Sequence, residues 1–167
     1  MEEESDKFKN KIDMTYGQFY RALFGMTIDV FCLLEEEVGR EDALERLSEL
    51  SGEKTKVSLR RSLKDEEIDE FDDFIKVYKK QLDSDLFKNT LSYEIKEESD
   101  EVFKFDVNRC IRAEIFKEFD AQDIGYEVAC QPDFEVLPVF SPNLRLKRTK
   151  TLMEGDDCCN FEYTWEE

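Results

Sequence analysis

The sequence predicts an α+β domain, with N-terminal helices packed on an antiparallel sheet built from two hairpins with intervening helices. Three observations point there. As far as Leu82 the apolar residues recur every three or four positions, the period of a helix with one buried face. In two later stretches, 93–109 and 144–165, they alternate as half-buried strands do. Between those stretches, residues 110–131 return to helical spacing. The order helices, hairpin, helices, hairpin closes the chain with a β-β-α-α-β-β unit and makes one domain of residues 1–167. Within it, 1–14 is expected to fray, 15–86 to form the helical scaffold, and 87–167 to form the α+β unit that carries any site.

Thr15 followed by Gln18 has the form of a capping box and opens a helix at Tyr16. Phe19, Leu23, Met26, Val30 and Leu34 recur at helical spacing, so that stripe is expected to face the core, with Cys32 buried among apolar neighbours and Gly39 as the stop. A short second helix should turn Leu44, Leu47 and Leu50 inward and end at Gly52. From Ser62 to Leu82 a third stripe runs through Ile68, Phe71, Ile75, Tyr78 and Leu82. Its acids, Asp65, Glu66 and Glu67, precede its lysines, Lys76, Lys79 and Lys80, the order the helix dipole favours.

The period then changes. Tyr93–Lys96 and Glu101–Arg109 read as strands around a polar turn, with Phe103, Phe105, Val107 and Arg109 on one face. A helix over Cys110–Phe119 follows, with Ile111, Ile115 and Phe119 inward, and another from Gln122 that Pro132 ends. In the closing pair, Leu144, Leu146, Arg148, Lys150 and Leu152 share one face of the first strand. Cys159, Phe161, Tyr163 and Trp165 share one face of the second, and Glu154-Gly155-Asp156-Asp157 is the turn between them.

Composition excludes several function classes. With 42 acids against 24 bases the net charge is −18, which opposes nucleic-acid phosphates and anionic lipid surfaces. No apolar run approaches membrane-spanning length, and MEEESDKFKNK has no signal-peptide core, so a cytoplasmic protein is expected. Five cysteines, an odd number, suit thiols or ligands better than a disulfide framework. There is no histidine, so no Ser-His or Cys-His dyad and no imidazole metal ligand can form. Acid–base work falls to Asp, Glu, Cys, Lys or Tyr.

The candidate chemistry lies in the last third. Cys110 and Glu114, four apart, share one helix face, and Cys130 stands three residues before Asp133. With Cys159 pointing inward from the last strand, three thiols and two carboxylates are expected to converge. Such a set offers a nucleophile with an acidic partner, or donors for zinc. Core packing alone is the plainer role for free cysteines. The sequence requires no cofactor, and without a CxxC pair zinc or another divalent metal is the lesser alternative. Arg148 shares its face with leucines, so its permanent charge needs an anion, either a ligand carboxylate or an internal partner such as Glu114 or Asp133. Arg109 presents the same choice.

These stretches carry a resemblance. RCIRAEIFKEF, the cysteine and aspartate of ACQPDF, and SPNLRLKRTKTLMEGDDCCNF resemble the C-terminal half of the L-2-amino-thiazoline-4-carboxylic acid hydrolase family. The strand-strand-helix-strand-strand order is similar to that of 4-vinyl-reductase-type ligand-binding domains. The family resemblance implies hydrolytic opening of a small carboxylated cyclic amidine by water addition at its C=N carbon. On that reading Arg148 or Arg109 would hold the substrate carboxylate, with Cys159 beside it. Glu114 or Asp133, raised in pKa by burial, would move the proton, unless Cys110 or Cys130 attacks first. Where relatives carry Asp-His after the last cysteine, this chain has Asn160-Phe161. The alternative is a sensor domain that binds a small ligand or metal without turnover. Either reading expects a small carboxylate-bearing ligand as partner. A homo-oligomer is a third, suggested by an exposed aromatic-rich final strand and by an edge that could pair, with its interface over the last hairpin.

Overall fold

The computed structural model describes residues 13–166; the stretch expected to fray falls outside the described residues as far as residue 12. Helix α1 (Tyr16–Val38) starts as its capping box dictates. Thr15 Oγ1 accepts from the Gln18 amide, and the Gln18 side chain accepts from the Thr15 amide. Gly39 ends it with φ of 85°, a left-handed conformation that glycine adopts without strain. The buried face differs from the expected one. Tyr20, Phe24 and Phe31 point inward, whereas Phe19, Leu23, Met26 and Val30 are exposed and so is Cys32. Two apolar stripes overlap on this helix. The aromatic one is buried because its rings stack in series against Phe116, with centroids 5.3 Å apart for Tyr20–Phe24 and 4.6 Å for Phe24–Phe116.

Helix α2 (Arg40–Ser62) runs straight through Gly52, the expected stop, and leaves Leu50 exposed. A mid-helix glycine costs about 1 kcal/mol against alanine, so a contact has to offset it. The Glu135 carboxylate lies over Gly52 where a Cβ would stand, and Lys56 holds that carboxylate at 3.1 Å. Helix α3 (Phe71–Leu82) begins after the acids expected in its first turns; Asp72 and Asp73 occupy that place instead. It buries Phe71, Phe74, Ile75 and Leu82, and a short α4 (Asp85–Thr90) leads into the sheet.

Strands β1 (Leu91–Glu98), β2 (Val102–Cys110), β3 (Leu144–Lys147) and β4 (Cys159–Trp165) form one antiparallel sheet in the order β1-β2-β4-β3. The final strand is therefore interior, paired on both sides. Its Phe161 and Tyr163 are buried, and the edge of the last hairpin is β3. One face of the sheet carries Phe103, Phe105, Phe161 and Tyr163 into a cluster with α3. The other presents Lys96, Lys104, Asp106 and Glu162 as cross-strand ion pairs.

Between the hairpins come α5 (Ile111–Glu118), α6 (Gln122–Gly125), a π-helical turn (Tyr126–Cys130), α7 (Pro132–Glu135) and α8 (Leu137–Phe140). On α5 the inward residues are Ala113, Ile115 and Phe116, while Phe119 is exposed. Of these, α5, α6 and the π-helical turn join α1 and α2 in a second core cluster, whereas α8 packs into the first through Leu137 and Phe140. Cys110 and Leu152 touch both clusters and mark the seam between them. No described helix is long and apolar enough to cross a membrane.

Gly125 is fitted into that seam's wall: a Cβ there would stand 2.6 Å from Phe116 Cγ and 2.7 Å from Met153 Sδ. An exposed helical Gly→Ala change gains stability, whereas overpacking a core costs about 1–3 kcal/mol. Gly125→Ala is expected to lower the urea midpoint; an unchanged or higher midpoint would mean that Phe116 and Met153 yield freely.

Candidate active site

A cavity of about 70 Å³ opens at the seam between the two clusters. Its apolar wall comes from the sheet and α3, with Tyr78, Phe105 and Phe161 among its residues, and from Met153 of the closing loop. Cys110, Cys130 and Cys159 all line it, together with Asp133, Arg148 and Arg112. At about 10–15 Å³ per water this is room for roughly five to seven waters.

Local backbone irregularities aim these side chains. In the β1–β2 ladder Ser92 pairs with Arg109 and Tyr93 with Val107, so Asn108 is an extra residue on β2. A bulge of this kind reverses the alternation beyond it. Cys110 consequently turns into the cavity, and Arg109 turns out to solvent with 71% of its side chain exposed. There its Nε meets Glu114 at 2.6 Å. The expectation that Arg109 lies on the buried face is corrected, and so is that of a burial-raised Glu114. Its carboxyl is lowered, chiefly by the hydrogen bond from Arg109.

The second irregularity is the π turn. Gln131 N–H reaches back to the Tyr126 carbonyl at 2.8 Å, and Phe134 N–H bonds to Gln131 rather than to Cys130. That phase change frees the Cys130 carbonyl and lets Pro132 open a new helical turn instead of ending the helix. The freed carbonyl accepts from Arg148 Nη2 at 3.1 Å.

Arg148 comes in from the end of β3. The β3–β4 ladder stops at Lys147–Glu162, short of the expected hairpin, and side chains take over. Asn160 Oδ1 accepts from the amides of Thr149 (3.0 Å) and Lys150 (2.7 Å), and its Nδ2 donates to Thr149 Oγ1 at 2.9 Å. Asp156 accepts from the Thr151 amide at 2.7 Å, and Cys159 Sγ from the Leu152 amide at 3.2 Å. Gly155, at φ of 102°, closes the loop. RTKTLMEGDDCCN is thus a loop clamped by its own side chains. Lys150, expected on the covered face, is exposed and pairs with Asp157.

The Arg148 side chain is 1% exposed. Its Nη1 donates to Asp133 at 2.5 Å, and its guanidinium lies over the rings of Phe134 (4.8 Å) and Phe161 (5.2 Å). Carboxylate, carbonyl and two aromatic faces account for this cation. Of the two partners open to Arg148 in the sequence, Asp133 is the internal one.

Asp133 keeps 32% of its side chain accessible although protein surrounds it, since its open side is the cavity wall. Burial pushes its carboxyl above the usual range, while Arg148 and Arg112 pull it back. Burial also raises the Cys130 thiol, and raises Cys159 to about 11, so both sulfurs stay protonated at neutral pH. Burial raises the phenols of Tyr78 and Tyr163, which hydrogen-bond to each other at 3.1 Å.

Arg112 is the cavity residue that the sequence reading missed. It is half-buried and lines the cavity, and it forms no ion pair among the described residues. The one signal was its place inside RCIRAEIF, two residues beyond Cys110. Strict alternation selected Arg109 instead. As for a metal, no group of three Cys, Asp or Glu among the described residues stands close enough to hold an ion. The three cysteines share the cavity.

A family model described as L-2-amino-thiazoline-4-carboxylic acid hydrolase matches residues 17–163. No curated protein matches this chain.

Proposed function

Because the chain belongs to the L-2-amino-thiazoline-4-carboxylic acid hydrolase family, we propose that its cavity opens a small carboxylated cyclic amidine by adding water to the C=N carbon. The observation that carries this reading is the meeting of Asp133, Arg148 and Arg112 on the wall of one small apolar cavity. Two cations beside one carboxylate leave a net positive site in a chain of charge −18. Such a site favours an anionic ligand.

The roles divide by what each group has free. Arg148 is committed to Asp133 and the Cys130 carbonyl, so it positions the carboxylate. Arg112 is left to take the substrate carboxylate. Asp133, with a carboxyl raised by burial and kept ionisable by two arginines, is placed to accept a proton from water as its oxygen adds to the amidine carbon. The proton passes on to the ring nitrogen; the tetrahedral carbon then collapses to a carbonyl, its ring C–S bond breaks, and the hydroxyl proton goes to the departing sulfur, leaving an open-chain thiol. Attack by Cys130 would need a thiolate that burial disfavours, so direct water addition is the better-supported route.

The test is incubation of the purified protein with L-2-amino-thiazoline-4-carboxylic acid, following ring opening by NMR, beside Asp133→Asn. Turnover that falls by about a hundredfold or more in the variant is expected, as for loss of a general base. Thermal stabilisation by the compound with no product would identify a binding module instead. Neither stabilisation nor turnover would overturn the reading.

A further inference from the structure

Helix α1 carries a second apolar stripe that the fold leaves uncovered. Tyr16, Phe19, Leu23, Met26, Val30 and Leu33 are all exposed, the last three at 62%, 60% and 65%. Their spacing is 3, 4, 3, 4, 3. A stripe shaped by burial on its own domain drifts with the 3.6-residue period of a straight helix, whereas strict alternation of three and four is the 3.5-residue seam by which one helix packs along another. The buried residues of α1, Tyr20, Phe24 and Phe31, lie off this seam, so both faces of the helix can be engaged together.

We propose that this seam pairs with the same seam of a second copy, giving a two-fold dimer through α1. Charge favours that occupant. The surface of this chain is strongly acidic overall, yet within Tyr16–Leu33 the charged residues are Arg21 and Asp29 alone, and they cancel. Arg21 is in addition held by Glu118. With Glu118 counted, the face carries a single net negative charge, so two copies approaching along α1 meet little of the like-charge repulsion that a −18 surface imposes elsewhere. An isologous contact also needs a self-complementary surface, which a regular heptad seam provides. The six side chains expose on the order of 600 Å², the upper end for a patch on a monomer and near the roughly 800 Å² that each partner buries in a standard interface. The stretch that precedes α1, MEEESDKFKNKI, has Met1, Phe8 and Ile12 as its large apolar residues, too few to match six seam positions.

Sedimentation equilibrium on the full chain, over micromolar to hundred-micromolar concentrations, tests this against Met26→Glu/Val30→Glu and against Leu33→Glu. None of the three positions contributes to the core, so far-UV circular dichroism should be unchanged. The expected result is a wild-type species of twice 19.9 kDa, with a dissociation constant raised about a hundredfold or more in the double variant and also raised in Leu33→Glu. A wild type that stays monomeric throughout, or variants that dimerise as tightly as the wild type, would overturn the proposal. Ring-opening activity is not its readout, so the two proposals fail independently.

Discussion

Replacing Arg148 by alanine is expected to cost about 3 kcal/mol of folding stability, the low end for breaking a buried ion pair, because Asp133 keeps Arg112 nearby. The guanidinium is closed off from solvent and is held by Asp133, the Cys130 carbonyl and two aromatic rings. Removing it leaves a carboxylate and a carbonyl without their donor and two rings without their cation. The pH dependence distinguishes these losses. Burial raises the Asp133 carboxyl in the folded state, so the fold binds its proton more tightly than the unfolded chain does. A raised folded pKa contributes stability that is complete below the unfolded value and is lost as pH rises through the folded value. Arg148 opposes that shift, so without it the loss on raising pH grows. The deficit of Arg148→Ala should accordingly be larger at pH 7 than at pH 4, and adding Asp133→Asn should recover part of it. Urea denaturation across that range checks both statements. A deficit independent of pH would assign the cost to packing against Phe134 and Phe161 alone.

The contrast between Arg148 and Arg109 shows what was legible in the sequence. Both were placed on buried faces by alternation. For Arg148 that held, since Leu144 and Leu146 precede it on a regular strand. For Arg109 it failed, because the bulge at Asn108 shifts the alternation by one, and nothing in VFKFDVNRC marks an extra residue before the ladder is formed. Cys110, Cys130 and Cys159 all line the cavity, but Cys110 reaches it by the same bulge that removes Arg109, not by the helix face it was expected to share with Glu114, which lies outside. Helix phase was ambiguous wherever two apolar stripes coexist. In α1 the heptad stripe is the more regular in sequence, but the aromatic one finds Phe116 across the interface. Such a choice depends on the partner surface, which local periodicity does not contain. Gly52 and Pro132 failed as stop signals for a related reason. Glu135 packs over the first, and the π turn accommodates the second.

Of the two cavity arginines, Arg112 is the one whose loss should be read in the substrate and not in the fold. Arg112→Met keeps the length and apolar stem of the side chain, so the folded protein should persist with a small change in stability. If Arg112 holds the substrate carboxylate in ground state and transition state alike, its removal raises KM and leaves kcat nearly unchanged. A charge-assisted, desolvated contact of this kind is worth about a hundredfold in kcat/KM. The decisive comparison uses 2-amino-2-thiazoline, the same ring without the carboxylate. The wild type should process it about a hundredfold less efficiently than the carboxylated compound, whereas Arg112→Met should treat the two almost alike, because the second deletion removes a contact that the first has already lost. If the variant still discriminates as strongly as the wild type, the carboxylate is held elsewhere. Arg148 would then have to exchange Asp133 for the ligand, and Arg148→Lys would change the discrimination where Arg112→Met does not.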